Sequence, residues 1–204
     1  SADGETVAIG SRVNDGNGTD SGHTRIYHWT GSVWQQLGLD IDGEAAGDKL
    51  GASVSLSADG LTVAIGAQHN DGNGNHSGHT RIYHWTGSAW QQLGLDVDGE
   101  ANGDYSGWFV SLSADGQTVA IGASGNDGNG ASSGHVRIYA WDGSAWNQLG
   151  EDIDGEAAGD ESGHSVSLSA DGLTVAIGAW KNDGNGTDSG HTRIYHWTGS
   201  AWQQ

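Results

Sequence analysis

Short segments that alternate apolar and polar residues follow one another along the chain, separated by runs of glycine, asparagine and aspartate. Residues 52–57 place Val54 and Leu56 on one side and serines on the other, and we name this type of segment strand a. Residues 6–9 form strand b, in which Val7 and Ile9 share a side. Alternation with a period of two predicts β-strands, and we find no segment with helical spacing.

Two further strands complete the pattern. Residues 23–30 form strand c, which carries apolar residues on both sides and is therefore expected to be covered on both faces. Residues 33–37 form strand d after a Gly-Ser turn. An Asp-Gly pair joins strands a and b, which is a strong signal for a tight hairpin. Longer polar loops, residues 14–22 and 40–48, join b to c and d to the next strand a.

Nearly the same sequence begins again every 56 residues. Residues 1–204 therefore form one array of repeats, with units 1–56, 57–112, 113–168 and a shorter unit 169–204. A repeat of this length is typical of propellers or solenoids. Each unit supplies four antiparallel strands, which cannot bury both sheet faces alone. We therefore predict an all-β fold, a β-propeller built from four-stranded blades. A β-solenoid is the second choice, because its shorter rungs need no pair of hairpins.

The unit resembles the FG-GAP repeat of integrin α-chain propellers, and is closest to the highly repetitive type found in secreted proteins of marine microbes and algae. In that family an aromatic-Gly pair opens the first strand and Gly-Ala-Pro follows the second. The first pair corresponds to Leu50-Gly51, Ser106-Gly107 and Ser162-Gly163, and the second to Gly66-Ala67, Gly122-Ala123 and Gly178-Ala179. The aromatic residue and the proline are absent from every unit. A short Ser-Ala-Asp-Gly turn replaces the family's calcium loop, so that calcium site is not expected here.

The composition of the chain excludes several classes of partner. The chain has 7 basic and 26 acidic residues, a formal charge of −19, and no cysteine. This charge argues against nucleic-acid partners and anionic membrane surfaces, and no apolar run is long enough for membrane insertion. With the resemblance, it favours an extracellular, secreted or cell-surface location. The chain begins in the middle of a unit, and we expect a processed piece, an engineered chain or part of a longer array.

The copies differ at clustered positions. One cluster follows strand b, a second lies further along the b–c loop, and a third lies where strand d leads to the next strand a. We expect these loops on one face of the propeller, the variable face, while the opposite turns are almost constant. Aromatic and basic residues of this kind are enriched in recognition surfaces. The candidate ligand-binding residues are Arg12, Lys49, Gln68, His69, Tyr105, Trp108, Phe109, His164, Trp180 and Lys181.

Two functional hypotheses follow. The variable face could make the chain a non-enzymatic binding or adhesion module for a protein or glycan. Alternatively, the variation is drift in unrestrained loops, and the chain is a structural scaffold, designed or recently amplified, with no ligand. No convergent set of catalytic groups is present, so we predict that the chain is not an enzyme.

The acidic loop after strand d spaces its carboxylates in a way that resembles a calcium loop, and calcium is the one cofactor considered. The alternative, which we favour, is that these groups cap loop N–H groups or pair with the single arginine of each unit. The carboxylates are Asp40, Asp42, Glu44, Asp48, Asp96, Asp98, Glu100, Asp104, Asp152, Asp154, Glu156 and Asp160.

The sequence also bears on glycosylation and on closure of the ring. Asn17, Asn75 and Asn185 begin Asn-x-Ser/Thr sequences, which are glycosylation acceptors in a eukaryotic secretory pathway, although the composition of the turns also accounts for them. The strand count leaves the ring one inner strand short of four complete blades. Open ends would expose apolar blade faces, and we expect either self-association or membership of a longer array.

Overall fold

The computed structural model describes residues 1–204 as an all-β chain of 18 strands in four sheets. No helix is present, and therefore none is long and apolar enough to cross a membrane. Each sheet corresponds to one period of the repeat, with its first strand supplied by the end of the preceding unit in blades 2, 3 and 4. The all-β fold with repeated antiparallel blades is confirmed.

The four blades follow the chain in order. Blade 1 contains β1 (Thr6–Ser11), β2 (His23–Trp29), β3 (Trp34–Gln36) and β4 (Ile41–Asp42). Blade 2 contains β5 (Ser53–Leu56), β6 (Thr62–Ala67), β7 (His79–Trp85), β8 (Trp90–Gln92) and β9 (Val97–Asp98). Blade 3 contains β10 (Phe109–Leu112), β11 (Thr118–Ala123), β12 (His135–Trp141), β13 (Trp146–Gln148) and β14 (Ile153–Asp154). Blade 4 contains β15 (Ser162–Leu168), β16 (Thr174–Ala179), β17 (His191–Trp197) and β18 (Trp202–Gln203).

The acidic segment after strand d is not only a loop, which corrects the sequence prediction. Strand d pairs with the second half of strand c, since β3 faces Tyr27 to Trp29 of β2. The first half of strand c would then have a free edge. After a four-residue detour the chain returns as β4, which pairs with His23 and Thr24. Strand d is thus interrupted, and its second part contributes the buried Ile41 to the core.

The hydrophobic core lies between blades, and three equivalent clusters fill the three gaps. Between blades 1 and 2, the cluster joins Ile26 and Ile41 of blade 1 to Val63 and Ile65 of blade 2. The equivalent side chains occupy the other two gaps. A blade therefore has two different faces: valine and isoleucine of strand b point to the preceding blade, and isoleucine of strand c points to the following one.

Backbone contacts tie neighbouring blades together near the inner strands. Gly66 of strand b lies against Gly107, which precedes the innermost strand of the next blade, and a Cβ atom on Gly66 would overlap the Gly107 carbonyl oxygen. The a–b turns also join one another, because Ala58 N–H donates to the Ala114 carbonyl at 2.8 Å. The glycines and the a–b turn residues that are identical in every unit thus allow neighbouring blades to pack closely.

Candidate functional site

The b–c and d–a loops lie together on one face of the array, where the repeat differences place the variable face. Gly47 N–H donates to the Thr19 carbonyl at 2.9 Å, and Lys49 N–H donates to the Asp20 carbonyl at 3.1 Å. The next blade is linked to these loops as well, because Asn70 Nδ2 donates a hydrogen bond to Asp48 Oδ2 at 3.1 Å. These bonds form a shared loop layer that carries the side chains that differ between copies.

The variable side chains form one continuous row across blades 2, 3 and 4, which we name the aromatic band. The ring centroids of His69 and Tyr105 are 5.6 Å apart, and those of Tyr105 and Trp108 are 6.1 Å apart at a nearly perpendicular 80°. Trp108 lies 5.5 Å from His164, which lies 5.1 Å from Trp180. His76 completes the band at 4.5 Å from His69. Residues far apart in sequence thus form a single aromatic surface.

A carboxylate holds the blade 4 end of this band in place. Glu161 accepts a hydrogen bond from Trp180 Nε1 at 2.7 Å and another from Lys181 Nζ at 2.6 Å. The Lys181 ammonium also lies 4.8 Å from the Trp180 ring centroid, a cation–π distance. Glu161 stands at a position that differs between copies, equivalent to Lys49 and Tyr105, but it is not one of the aromatic or basic residues named as candidate ligand contacts.

A groove of about 370 Å³ opens at the centre of the band. Its aromatic walls are His69, Tyr105 and Trp108, and Ser124, Gly125, Ser132 and Glu161 complete its lining. The pKa of His69 is lowered, first by burial and then by the positive charges of Lys49, His76 and Arg12. The basic residues of blade 1 therefore act electrostatically on the aromatic band, and the imidazole is biased to its neutral form.

Two of the predicted ligand residues, Gln68 and Phe109, lie outside the row of stacked rings. Gln68 is buried, so it cannot contact a ligand on the surface, and that assignment is wrong. It directly follows strand b, whose neighbouring residues are covered by the adjoining blades. Phe109 is exposed and lies 6.2 Å from the His164 ring, at the side of the band.

Seven residues other than glycine have a left-handed backbone, and all belong to the variable loops. They occupy two equivalent positions per unit, with φ between 50° and 58°: Asp20, Lys49, His76, Tyr105, Ser132, Glu161 and Asp188. This conformation costs a residue with a Cβ roughly 1 kcal/mol, and glycine occupies the other left-handed positions of the chain. These seven positions therefore keep a side chain although glycine would be less strained there. This favours a functional role for the seven side chains.

The carboxylates of one acidic loop form ion pairs and hydrogen bonds with different partners. In blade 1, Asp40 pairs with Arg25 of its own blade at 2.8 Å, and this guanidinium lowers the pKa of Asp40 to about 2. Glu44 reaches Arg81 of the next blade, and buried Asp48 accepts from Ala45 N–H at 3.0 Å. The same ion pair across the blade boundary recurs between Glu100 and Arg137 at 3.4 Å and between Glu156 and Arg193 at 3.5 Å. Asp96 forms an ion pair with Arg81 of its own blade. Asp104 and Asp160 accept backbone N–H bonds within their own loops, as Asp48 does.

This arrangement does not fit the proposed calcium loop, because a calcium ion needs six to eight oxygens converging on one point. Asp42, Asp98 and Asp154 lie at the exposed second position of the short strands β4, β9 and β14. Partial desolvation of the carboxyl group by its neighbours raises the pKa of Asp98 and of Asp154. Groups of one histidine with two carboxylates also recur, such as Glu44, His79 and Asp96. In that group the Arg81 guanidinium already contacts both carboxylates and supplies the positive charge.

The repeated histidines at the start of strand c lie inside the array. His79 and His135 are buried, and burial lowers the pKa of both, that of His135 to about 4. Their Nδ1 atoms lie 3.5 Å from Asp96 and Asp152, respectively. A neutral, enclosed imidazole in each internal blade indicates a packing role.

The three glycosylation candidates are exposed, but they differ in the hydrogen bonds of their side-chain amides. Asn17 Nδ2 donates to the carbonyl oxygens of Gly43 and Glu44 at 2.7 and 3.2 Å, so a glycan on this nitrogen would displace both bonds. Asn75 and Asn185 are exposed. Modification of all three residues remains a prediction.

Removal of the arginine that bridges two blades should reduce stability. Arg81 is buried and contacts Glu44 and Asp96, whereas the Arg25 side chain of blade 1 is 43% exposed and forms an ion pair with Asp40 alone. We expect Arg81→Met to lower the free energy of unfolding by about 1–3 kcal/mol, because two carboxylates lose their partner. The matched variant Arg25→Met should cost less than about 1 kcal/mol. Urea unfolding measures both, and equal losses would contradict the bridging role.

Part of the chain is similar in sequence to a known repeat family. The FG-GAP repeat family matches residues 40–83 and 152–195, two segments that run from the acidic loop through strand c of blades 2 and 4. No curated protein is detectably similar in sequence.

Two solved structures share the fold. KlAtg21, determined in complex with the coiled-coil of AgAtg16, is 13% identical with a TM-score of 0.59, over 88% of this chain and 48% of that one. This chain thus spans about half of that protein. A Bacteroides uniformis protein with a suggested 6-phosphogluconolactonase activity is 11% identical with a TM-score of 0.52, over 98% and 67%. Identities this low speak for the fold alone. The chain therefore contains two segments that match the FG-GAP repeat family, within a succession of antiparallel sheets consistent with β-propeller blades.

Proposed function

We propose that this chain is a non-enzymatic, extracellular binding module and that its aromatic band holds a carbohydrate ligand. The observation that carries the proposal is the gathering of the non-repeated aromatic residues into one band beside a groove. Drift in unrestrained loops would scatter such residues. The backbone strain retained at Tyr105 and Glu161 points the same way.

The chemistry of the band suits a sugar. An aromatic face carries partial negative charge and attracts the C–H groups that line one side of a sugar ring. Half-exposed Trp180, together with Trp108 and Tyr105, offers such faces in a row. The hydroxyls of Ser124 and Ser132, which line the groove, can both donate hydrogen bonds to sugar hydroxyls and accept them. A row of rings across three blades suits an extended glycan chain.

The titratable groups support binding without catalysis. The repeated carboxylates and histidines recur in each blade and serve ion pairs, caps or packing, as for Asp96 with Arg81. The band contains one carboxylate, Glu161, and its two oxygens already accept bonds from Trp180 and Lys181. An extracellular site agrees with the FG-GAP repeats and with the charge of −19.

The test is a glycan array probed with the chain and three variants. Trp108→Ala and Trp180→Ala should each weaken binding about tenfold, the loss expected for one stacked ring at about 1.4 kcal/mol. The control Trp34→Ala removes an exposed tryptophan of blade 1, outside the band, and should bind as the unmodified chain does. No binding to any glycan, or equal losses in all three variants, would contradict the proposal. Binding to a protein with the same pattern of losses would retain the band and change the ligand class.

A further inference from the structure

A groove of the same design lies beside strand d in each of the three gaps between blades. The volumes are about 610, 590 and 460 Å³ from the first gap to the third. Each groove is lined by a tyrosine and a tryptophan of the following blade and by two aspartates of the preceding blade. The middle groove lies between blades 2 and 3, which both have neighbours on either side, and its lining is the same. The grooves therefore belong to the repeat itself.

The groove between blades 3 and 4, which we name the third groove, differs from the other two at one position. Its lining contains Glu151, whereas the first two grooves have Leu39 and Leu95 there. Both leucines are 86% exposed, so the position faces solvent and packing does not require a leucine. This difference between copies lies away from the variable face and adds a negative charge to one groove only.

The aspartates of the third groove also lack a basic partner. Arg137 contacts Glu100 of blade 2, and the one ion-pair neighbour of Asp152 is His135, whose imidazole is neutral. Asp154, exposed at the second position of β14, forms no ion pair. Desolvation, and then the charge of Asp152, raise the pKa of Asp154. A bound cation would relieve this repulsion between carboxylates.

The aromatic residues of the third groove suit a cation that carries carbon groups, because tyrosine and tryptophan rings attract ammonium groups to their faces. The Tyr195 ring already has the Arg193 guanidinium 5.8 Å from its centroid, and Glu156 neutralises this guanidinium at 3.5 Å. Trp202 is fixed in the wall, since its Nε1 donates to the Leu149 carbonyl at 2.7 Å. A bare metal ion would make no use of these rings.

We infer that the third groove binds a small organic cation, with its ammonium group beside Glu151, Asp152 and Asp154 and its carbon substituents against Tyr195 and Trp202. The site is separate from the aromatic band and does not depend on a glycan ligand. The charge of −19 favours the approach of cations to the chain. The first two grooves have leucine in place of the glutamate and an aspartate paired with arginine, and they should bind the same cation more weakly.

The test is isothermal titration calorimetry at low salt with choline and with 3,3-dimethylbutan-1-ol, its uncharged isostere. Choline should bind about tenfold more tightly than the isostere, and added salt should weaken choline binding alone. Glu151→Leu installs the residue of the other copies and should weaken choline binding about threefold. The matched control Glu5→Leu makes the same chemical change at an exposed position outside the grooves, and it should bind choline like the unmodified chain.

Four results would overturn the inference. The first is that choline does not bind at millimolar concentration, and the second is that choline and its isostere bind equally well. The third is an equal loss in Glu151→Leu and Glu5→Leu, which would mean that choline responds to the net charge and not to the groove. The fourth is that calcium displaces choline and binds more tightly, which would assign the carboxylates to a metal ion. Both variants exchange residues between copies, and far-UV circular dichroism checks that they fold.

Discussion

Replacement of Ile82 by alanine should lower the free energy of unfolding by about 2–5 kcal/mol, the range for removing a fully buried isoleucine side chain. Ile82 lies between blades 2 and 3, with no exposed surface, in contact with the cluster that contains Val119 and Ile121. Removal of three carbon atoms leaves a cavity there, since the backbone of both blades is fixed by hydrogen bonds. The loss should fall on both blades at once.

The repeat supplies a matched control in the same residue type and the same strand position. Ile194 of blade 4 corresponds to Ile82 but is 59% exposed, so Ile194→Ala should cost less than about 1 kcal/mol. Urea unfolding followed by tryptophan fluorescence compares the two variants. Similar losses for both would mean that burial between blades is not the main source of stability.

Most of the fold can be predicted from the sequence, because its signals are local and occur in every unit. Val54 and Leu56 alternate with serines, and an Asp-Gly turn follows, so strands a and b and their hairpin need no other information. The short strand β4 could not be predicted. It has two residues, too few for a period, and it forms only because strand c is longer than strand d.

The position of the site could also be predicted, while its internal contacts could not. Differences between near-identical copies select Tyr105, Trp108 and Trp180, and the alternation of strand directions places their loops on one face. Burial of Gln68 depends on the neighbouring blade, which no local pattern describes. Likewise, carboxylate spacing in the acidic loop suggests a cation, but only the structure brings Arg81 of the next blade to Glu44.

The central claim is that the constant text builds the blades and the differing residues bind the ligand. It predicts that a chain made uniform on its variable face keeps its fold and loses its binding. The variant Tyr105→Lys, Trp108→Ala and Trp180→Arg gives each position the residue that unit 1 has there. Lys49 and Tyr105 share the same left-handed backbone, with φ of 58° and 55°, so the replacement is compatible with the loop.

A matched control carries differences between copies that lie elsewhere. Glu5→Leu and Val33→Ala also exchange residues between units, at positions near the constant turns on the opposite face. This variant should fold and bind like the unmodified chain. Loss of binding in the control would mean that any exchange between copies disturbs the site.

The decisive measurement is glycan-array binding of the uniform triple variant, together with its thermal melting temperature. We expect an unchanged melting temperature and a loss of binding of roughly a hundredfold or more, about tenfold for each lost tryptophan with a further loss from Tyr105. A folded triple variant that binds as tightly as the unmodified chain would show that the differing residues do not form the ligand site.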